Sequence, residues 1–100
     1  MAKYSVLYLQ AAENDLTNIF EYVVIDNKLA ANNLLDAIEK SIQNLELFPE
    51  LGIVPKNRRL ANKGYRILII SDYLAFYRVR GSVIRVMRIL YGKRNYANIL

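Results

Sequence analysis

The side chains of this chain that could do chemistry are arginine, lysine, tyrosine, serine and carboxylates, because its 100 residues contain no histidine and no cysteine. The lack of imidazole excludes histidine-based triads, and the lack of thiols excludes cysteine nucleophiles, disulfides and thiolate metal sites. No Walker loop, GxGxxG, GxSxG or HExxH motif is present. We therefore expect no metal and no small-molecule cofactor, and any catalysis must depend on positioned guanidinium and phenol groups.

Two arginines on predicted strands are the first candidates for such chemistry. Arg66 shares a strand face with Leu68, and Arg88 shares one with Leu90 and two further apolar residues. A guanidinium in an apolar row must reach water, pair or bind a ligand, since burying it alone is costly. One hypothesis is that both arginines bracket a phosphate, which their planar forks match bidentately. The other is exposure at strand ends or pairing with a helix acid such as Glu39.

A second candidate cluster follows the last predicted strand, where Tyr91 and Tyr96 flank Lys93 and Arg94. Aromatic rings beside cations suit nucleic-acid bases stacked along a phosphate backbone. The two tyrosines could stack a base or relay a proton. A phenol with a pKa near 10 is nevertheless a poor base unless cations lower its pKa.

The charge of the chain is divided between its halves. Residues 1–55 carry three lysines against eight acidic residues, whereas residues 56–100 carry eleven lysines and arginines against Asp72 alone. Such a lopsided half is typical of a surface that binds phosphates or an acidic partner. Three cations of this half fall between the predicted helices and strands, where a solvated loop is the alternative and we expect at most one ligand contact: Arg58, Arg59 and Lys63.

The elements that must position these residues follow from apolar periodicity. Alternation predicts a strand over residues 3–9, and helical spacing predicts two amphipathic helices separated at residues 26–28 and ending before Pro49. Residues 51–63 are expected to be irregular, and residues 93–100 to be a short tail. Three strands with two-residue links complete the chain, at Tyr65–Ile70, Tyr73–Arg80 and Val83–Tyr91.

The expected fold is therefore α+β in the order β-α-α-β-β-β, a single domain over residues 1–100. A two-helix hairpin would pack on one face of a small, mostly antiparallel four-stranded sheet and leave the other face for function. No signal peptide is recognisable and no apolar run could cross a bilayer, so the sequence predicts a soluble, cytoplasmic protein without a membrane partner.

Four segments in order carry a resemblance to a known family. The first runs from Ala12 to Tyr22, and the second from Ala30 through the sequence Phe-Pro-Glu-Leu-Gly that ends at Gly52. The third joins Gly-Tyr-Arg at residues 64–66 to Phe-Tyr-Arg-Val at residues 76–79, and the fourth covers residues 86–96. Along nearly its whole length the chain resembles the RelE/ParE superfamily of toxins from type II toxin–antitoxin systems.

The resemblance implies a cognate antitoxin that folds across the toxin and masks its basic surface, and it implies one of two targets. RelE-like and YoeB-like members enter the ribosomal A site and cut messenger RNA. ParE-like members inhibit DNA gyrase and have no established cleavage chemistry.

The resemblance also assigns roles to individual residues. Arg66 matches the arginine that ribonuclease members place beside the scissile phosphate. Arg88 and Tyr91 fall where such members place arginine or histidine, and Tyr91 departs from the histidine of many relatives. Tyr96 could match a C-terminal tyrosine of some ribonucleases. The length of the helical hairpin and the Phe-Pro-Glu-Leu-Gly segment are more similar to ParE.

Three hypotheses follow from the residues and the resemblance together. The first is a toxin that arrests growth by ribosome-dependent, metal-independent cleavage of messenger RNA, with Arg66 and Arg88 stabilising charge as a ribose hydroxyl attacks the adjacent phosphate. The second is a ParE-like, non-catalytic inhibitor of DNA gyrase. The third is an inactive homologue that only binds an antitoxin.

Overall fold

The computed structural model describes residues 3–92 and 96–100, so the predictions for Lys93 and Arg94 lie outside the described residues. The main elements are, in chain order, β1 (Ser5–Tyr8), α1 (Gln10–Val24), α2 (Lys28–Gln43), α3 (Arg58–Asn62), β2 (Tyr65–Ile70), β3 (Tyr73–Arg80) and β4 (Val83–Tyr91). Single turns of 3-10 helix cover Asn44–Glu46 and Tyr96–Asn98. None of the described helices is long and apolar enough to cross a membrane.

The four strands form one mixed sheet in the order β1-β4-β3-β2. The strand β1 runs parallel to β4, because the helical hairpin carries the chain across the sheet, and the other neighbours are antiparallel. Two-residue turns join β2 to β3 and β3 to β4, and their first residues, Ser71 and Gly81, have φ of 54° and 60°. The predicted α+β arrangement, β-α-α-β-β-β with a mostly antiparallel sheet, is confirmed.

The helical hairpin covers one face of the sheet. At the start of α2 the side chain of Asn27 accepts a hydrogen bond from the backbone N–H of Ala30 at 3.0 Å. This N–H belongs to the first turn and has no acceptor within the helix. Apolar residues of α2 then recur at helical spacing and bury against the strands. The main core consists chiefly of Ile38, Ile42, Leu45, Leu68, Ile70, Ala75, Tyr77, Ile84, Val86 and Ile89.

The opposite face of the sheet is also packed, which corrects the expectation that it stays open. A second core lies there, formed by Leu60, Tyr65, Ile67, Phe76 and Leu90. It is covered by α3 and by three partly buried residues of the C-terminal tail: Tyr96, Ile99 and Leu100. The segment predicted to be irregular thus contains a short helix. The side chain of Asn57 caps the start of this helix, and the side chain of Leu60 is buried.

A β-bulge in the last strand changes which residues face the helices. Tyr77 pairs with Val86, but Phe76 pairs with Arg88, so Met87 is an extra residue of β4. Beyond the bulge Ile89 joins the main core, whereas Leu90 belongs to the second core. The expectation that Leu90 shares a face with Arg88 and Val86 was therefore wrong, since strict alternation does not continue through a bulge.

Candidate functional site

The guanidinium of Arg88, at the bulge of β4, is bound by a carboxylate of α1. Its Nε donates to Oδ2 of Asp15 at 2.7 Å and its Nη2 donates to Oδ1 at 2.8 Å. The Oδ2 atom also accepts the backbone N–H of Ile89 at 2.9 Å. The hydrogen bonds from Arg88 to Asp15 raise the pKa of the guanidinium, which burial alone would lower. The pair uses two of the five N–H groups of Arg88.

Asp15 lies where it does because β1 is short. The last residue of β1, Tyr8, pairs with Val86, so the N–H of Ile89 on the same edge of β4 lies beyond the reach of that strand. Asp15 supplies the missing acceptor and is only 8% exposed. Asp15 was not among the residues that the sequence singled out. The signal that could have found it is its spacing three residues after Ala12, the other buried residue of the helix.

Arg66 is bound by backbone carbonyls of the segment that precedes α3. Its Nη1 donates to the carbonyl oxygen of Gly52 at 2.8 Å and, at a longer 3.4 Å, to that of Glu50. Beside it the hydroxyl of Tyr77 donates to the carbonyl of Pro49 and accepts the N–H of Gly52, both at 2.8 Å. Burial raises the pKa of the Tyr77 phenol, which therefore stays a donor at neutral pH. Arg66 and Tyr77 together hold residues 49–52 against the sheet.

The structure does not bring the two guanidinium groups onto one anion. Arg66 lies on β2 and Arg88 on β4, with β3 between them, so their backbones are about 10 Å apart. Arg66 is bound to the loop before α3, whereas Arg88 is bound to α1. Each arginine thus has a structural partner of its own.

The two candidate tyrosines lie on opposite faces of the sheet. Tyr91 is 40% exposed and packs edge-to-face on Tyr73, with ring centroids 5.7 Å apart. It lines a groove at the end of β4 that Asp15 also lines. The ring of Tyr96 packs on Phe76 in the second core, with centroids 4.9 Å apart. Of the four predicted catalytic residues, Arg88 and Tyr91 therefore share Asp15 as a neighbour, since Arg88 hydrogen-bonds to it and Tyr91 lines the same groove.

The loop cations lie on or next to α3 and are exposed: Arg58, Arg59 and Lys63. One of them has a structural partner, because Nη2 of Arg59 donates to the carbonyl oxygen of Ala97 at 2.6 Å. Arg59 therefore ties α3 to the C-terminal tail. The predicted target contacts of these three residues stay a prediction.

Three further arginines, which we call the hairpin arginines, were not among the predicted site residues: Arg78, Arg80 and Arg85. Arg78 pairs directly with Arg85 across β3 and β4, and Arg80 lies two residues further along the same face. The signal was present in the sequence, because a two-residue turn at Gly81 fixes this register. Their face is that of Tyr65 in the second core, over whose ring the Arg78 guanidinium lies at 5.4 Å.

Sequence comparisons relate the chain to known toxins. Residues 6–96 match the family model described as the ParE toxin of the type II toxin–antitoxin system parDE. Toxin ParE3 of Caulobacter vibrioides (strain ATCC 19089 / CIP 103742 / CB 15) is 29% identical over 93 residues, which cover 92% of this chain and 90% of that protein.

Solved structures share the fold. A chain of the chromosomal ParDE system from P. aeruginosa superposes with a TM-score of 0.74 at 23% identity, covering 91% of this chain and 98% of that one. A chain of the RelBE2 toxin–antitoxin complex from Mycobacterium tuberculosis gives 0.66 at 20% identity, covering 89% and 98%. The YoeB/ParE toxin from Agrobacterium tumefaciens gives 0.59 at 19% identity, covering 87% and 96%.

Proposed function

Because the chain belongs to the ParE toxin family of type II toxin–antitoxin systems, we propose that it arrests growth as a ParE-like, non-catalytic inhibitor of DNA gyrase. Its partner in the resting cell is a cognate antitoxin, as expected for a toxin of this type. The family match and the relation to a ParE toxin support this target over the ribosome.

The observation that carries the proposal is the use of both candidate arginines in holding the fold together. A ribonuclease mechanism needs cations aimed at the phosphate on which negative charge develops. Here Asp15 neutralises Arg88 through two hydrogen bonds, and Arg66 donates to the carbonyl of Gly52. The chain also has no histidine for acid–base catalysis. An inhibitor that acts by binding alone needs neither group.

Ribosome-dependent cleavage of messenger RNA is the second candidate, and one observation favours it. Arg88 retains N–H groups that Asp15 does not bind, and its side chain is 26% exposed. Tyr91 lines a groove that Asp15, the partner of Arg88, also lines, so both candidate residues adjoin one carboxylate. This candidate therefore makes Arg88 and Tyr91, and not Arg66 or Tyr96, the residues of the site.

The two candidates are separated by expressing the chain from an inducible promoter and assaying both targets. We expect growth arrest that co-expression of the antitoxin relieves, transcripts with unchanged 5′ ends, and loss of plasmid supercoiling by purified gyrase when the purified toxin is added. New 5′ ends within codons, with gyrase unaffected, would overturn the proposal in favour of cleavage. Expression without a growth defect, with antitoxin binding intact, would instead indicate the inactive homologue.

The variant Tyr91→Phe sharpens this experiment. Tyr91 is exposed and lies at the end of β4, so the substitution is expected to leave the fold intact. Under the proposed function it leaves gyrase inhibition unchanged. A large loss of toxicity together with a loss of transcript cleavage would support the ribonuclease candidate instead.

A further inference from the structure

The hairpin arginines form a cationic strip on the outer face of β3 and β4. Arg78 and Arg85 are directly opposed, and like charges in that position destabilise a sheet. The ion pairs of the described residues are Lys3 with Glu46 and Arg88 with Asp15, so none of the three arginines has a carboxylate partner there. The strip thus retains its repulsion within the folded chain.

No carboxylate lies nearby on the sheet, since the four strands contain no aspartate or glutamate. The turn residue Asp72 lies at the opposite end of β3 from Arg80. The Tyr65 ring under Arg78 holds that guanidinium over the sheet, and Arg85 is flanked across the sheet by Leu7 of β1. The three charges therefore extend across the sheet near the turn at Gly81, and they face outward.

We propose that the hairpin arginines bind the phosphodiester backbone of a nucleic acid, with duplex DNA as its source. Arginine forks match phosphate oxygens bidentately, and a row of guanidinium groups on one surface can follow successive phosphates. Phosphate binding relieves the repulsion between Arg78 and Arg85. The choice of DNA over RNA rests on the proposed function, because gyrase acts on DNA. The inference that the strip binds a phosphate backbone does not depend on the proposed function.

A nucleic acid suits this surface better than an acidic segment of a protein. Protein partners dock through apolar anchors in pockets, with charges at the rim. Phe76, two residues from Arg78 on the same face, is already buried against Tyr96 of the C-terminal tail. Of the strand residues beside the strip, Leu7 offers an exposed apolar side chain. A polar, cationic surface can bind a phosphate backbone without an apolar pocket.

An apolar groove lies on the helical side, and the charged residues around it are of the opposite sign. Leu16, Phe20 and Leu35 line it between α1 and α2. Four carboxylates surround these residues: Glu13, Glu21, Glu39 and Glu46. The features that suit a protein partner and those that suit a polyanion are therefore separated on the molecule.

The test is the affinity of the full chain for a short labelled DNA duplex, measured by fluorescence anisotropy over a range of salt concentrations. The variant R78Q/R80Q/R85Q removes the strip, and K28Q/K40Q/K56Q removes the same charge from exposed positions on α2 and in the loop before α3. We expect the strip variant to lose about tenfold or more in affinity and to lower the salt slope by about 2 to 3, since each phosphate contact contributes about 0.9. The control variant is expected to change affinity by less than about threefold.

Several results would overturn the proposal. Equal losses in the two variants would show that only net charge matters. Displacement of the duplex by polyglutamate of equal charge would indicate an acidic protein partner. Clearly tighter binding of an RNA duplex would show that the hairpin arginines bind RNA and not DNA. Melting curves control for folding, because removing opposed arginines is not expected to lower stability. If the strip variant loses DNA binding but the native chain does not inhibit gyrase, this inference stands and the proposed function fails.

Discussion

Asp15 and Arg88, which are 73 residues apart in the chain, are joined by two parallel hydrogen bonds that tie the first helix to the last strand. The same carboxylate accepts the backbone N–H of Ile89, so it also completes the edge of β4 beyond the end of β1. Both partners are largely shielded, with side-chain exposures of 26% for Arg88 and 10% for Asp15. A carboxylate with three donors at one site is a fixed part of the fold.

The first prediction is that Asp15→Ala lowers the free energy of unfolding by about 2–4 kcal/mol, because it leaves a shielded guanidinium and a buried N–H without an acceptor. Urea denaturation followed by circular dichroism measures this loss. Lys3, whose side chain is 63% exposed in its ion pair with Glu46, is the control, and Lys3→Gln is expected to change stability by less than about 0.5 kcal/mol.

A double-mutant cycle with Arg88→Met tests whether the two residues act on one another. The double variant should recover part of the loss, since it no longer buries a lone charge. Strictly additive losses, or a stable Asp15→Ala variant, would contradict the coupling that the hydrogen bonds indicate.

The second prediction concerns the contact of Gly52 with Tyr77. A Cβ atom at Gly52 would lie 2.7 Å from Cε1 of the Tyr77 ring and 2.9 Å from the carbonyl oxygen of Ile67, which is backbone and cannot move aside. Gly52→Ala should therefore destabilise the chain by about 1–3 kcal/mol through overpacking. The midpoints of urea denaturation of the native chain and of Gly52→Ala measure this loss of stability.

The control for that substitution is Gly64→Ala, where a Cβ meets no atom within 4 Å and only the positive φ of 84° is strained. We expect Gly64→Ala to lower the free energy of unfolding by about 1 kcal/mol. Tyr77→Phe should cost about 1–3 kcal/mol by leaving the buried N–H of Gly52 without its acceptor. A Gly52→Ala variant as stable as the native chain would show that residues 49–52 are not held against Tyr77 in solution.

The strands could be predicted from the sequence because their signals are local. Alternation and two-residue turns gave the bounds of β2, β3 and β4 as the structure has them. The two helices follow equally from the spacing of apolar residues and from the break at Asn27, which caps α2. These features depend on neighbours within one or two turns of the chain.

What could not be predicted depends on contacts between distant segments. The role of Asp15 requires knowing that β1 ends at Tyr8 and leaves the N–H of Ile89 without a strand partner. The bulge at Met87 moves Leu90 to the other face, and no local signal marks it. Arg66 looked unpaired because its acceptors are backbone carbonyls, which every residue carries and no sequence pattern distinguishes.

The third prediction is a dependence of stability on alkaline pH. Burial, followed by the charge of Glu39, raises the pKa of Tyr8 from 10.0 to about 12. Below pH 10.0 the Tyr8 phenol is neutral in the folded and the unfolded chain, so its full contribution to the free energy of unfolding is present. Between pH 10.0 and about 12 the phenol ionises in the unfolded chain first, so the free energy of unfolding falls as pH rises. Tyr8→Phe should lessen this fall, as measured by urea denaturation at several pH values.

Burial raises the pKa of Tyr73 and Tyr77 as well, so the alkaline loss is reduced in Tyr8→Phe and not abolished. Absorbance titration of the phenols identifies the contribution of Glu39, because Glu39→Gln should lower the highest midpoint. An unchanged midpoint would show that the charge of Glu39 does not act on Tyr8.

The last prediction concerns the C-terminal tail. Ile99 and Leu100 pack on the second core, and Arg59 holds the carbonyl of Ala97 at 2.6 Å. Ile99→Ala should therefore lower the free energy of unfolding by about 1–2 kcal/mol, as expected for a partly buried side chain. Asn98→Ala, at an exposed position of the same turn, should change it by less than about 0.5 kcal/mol. If Ile99→Ala abolishes toxicity while its urea midpoint stays native, the tail acts on the target directly and its packing on the sheet is incidental.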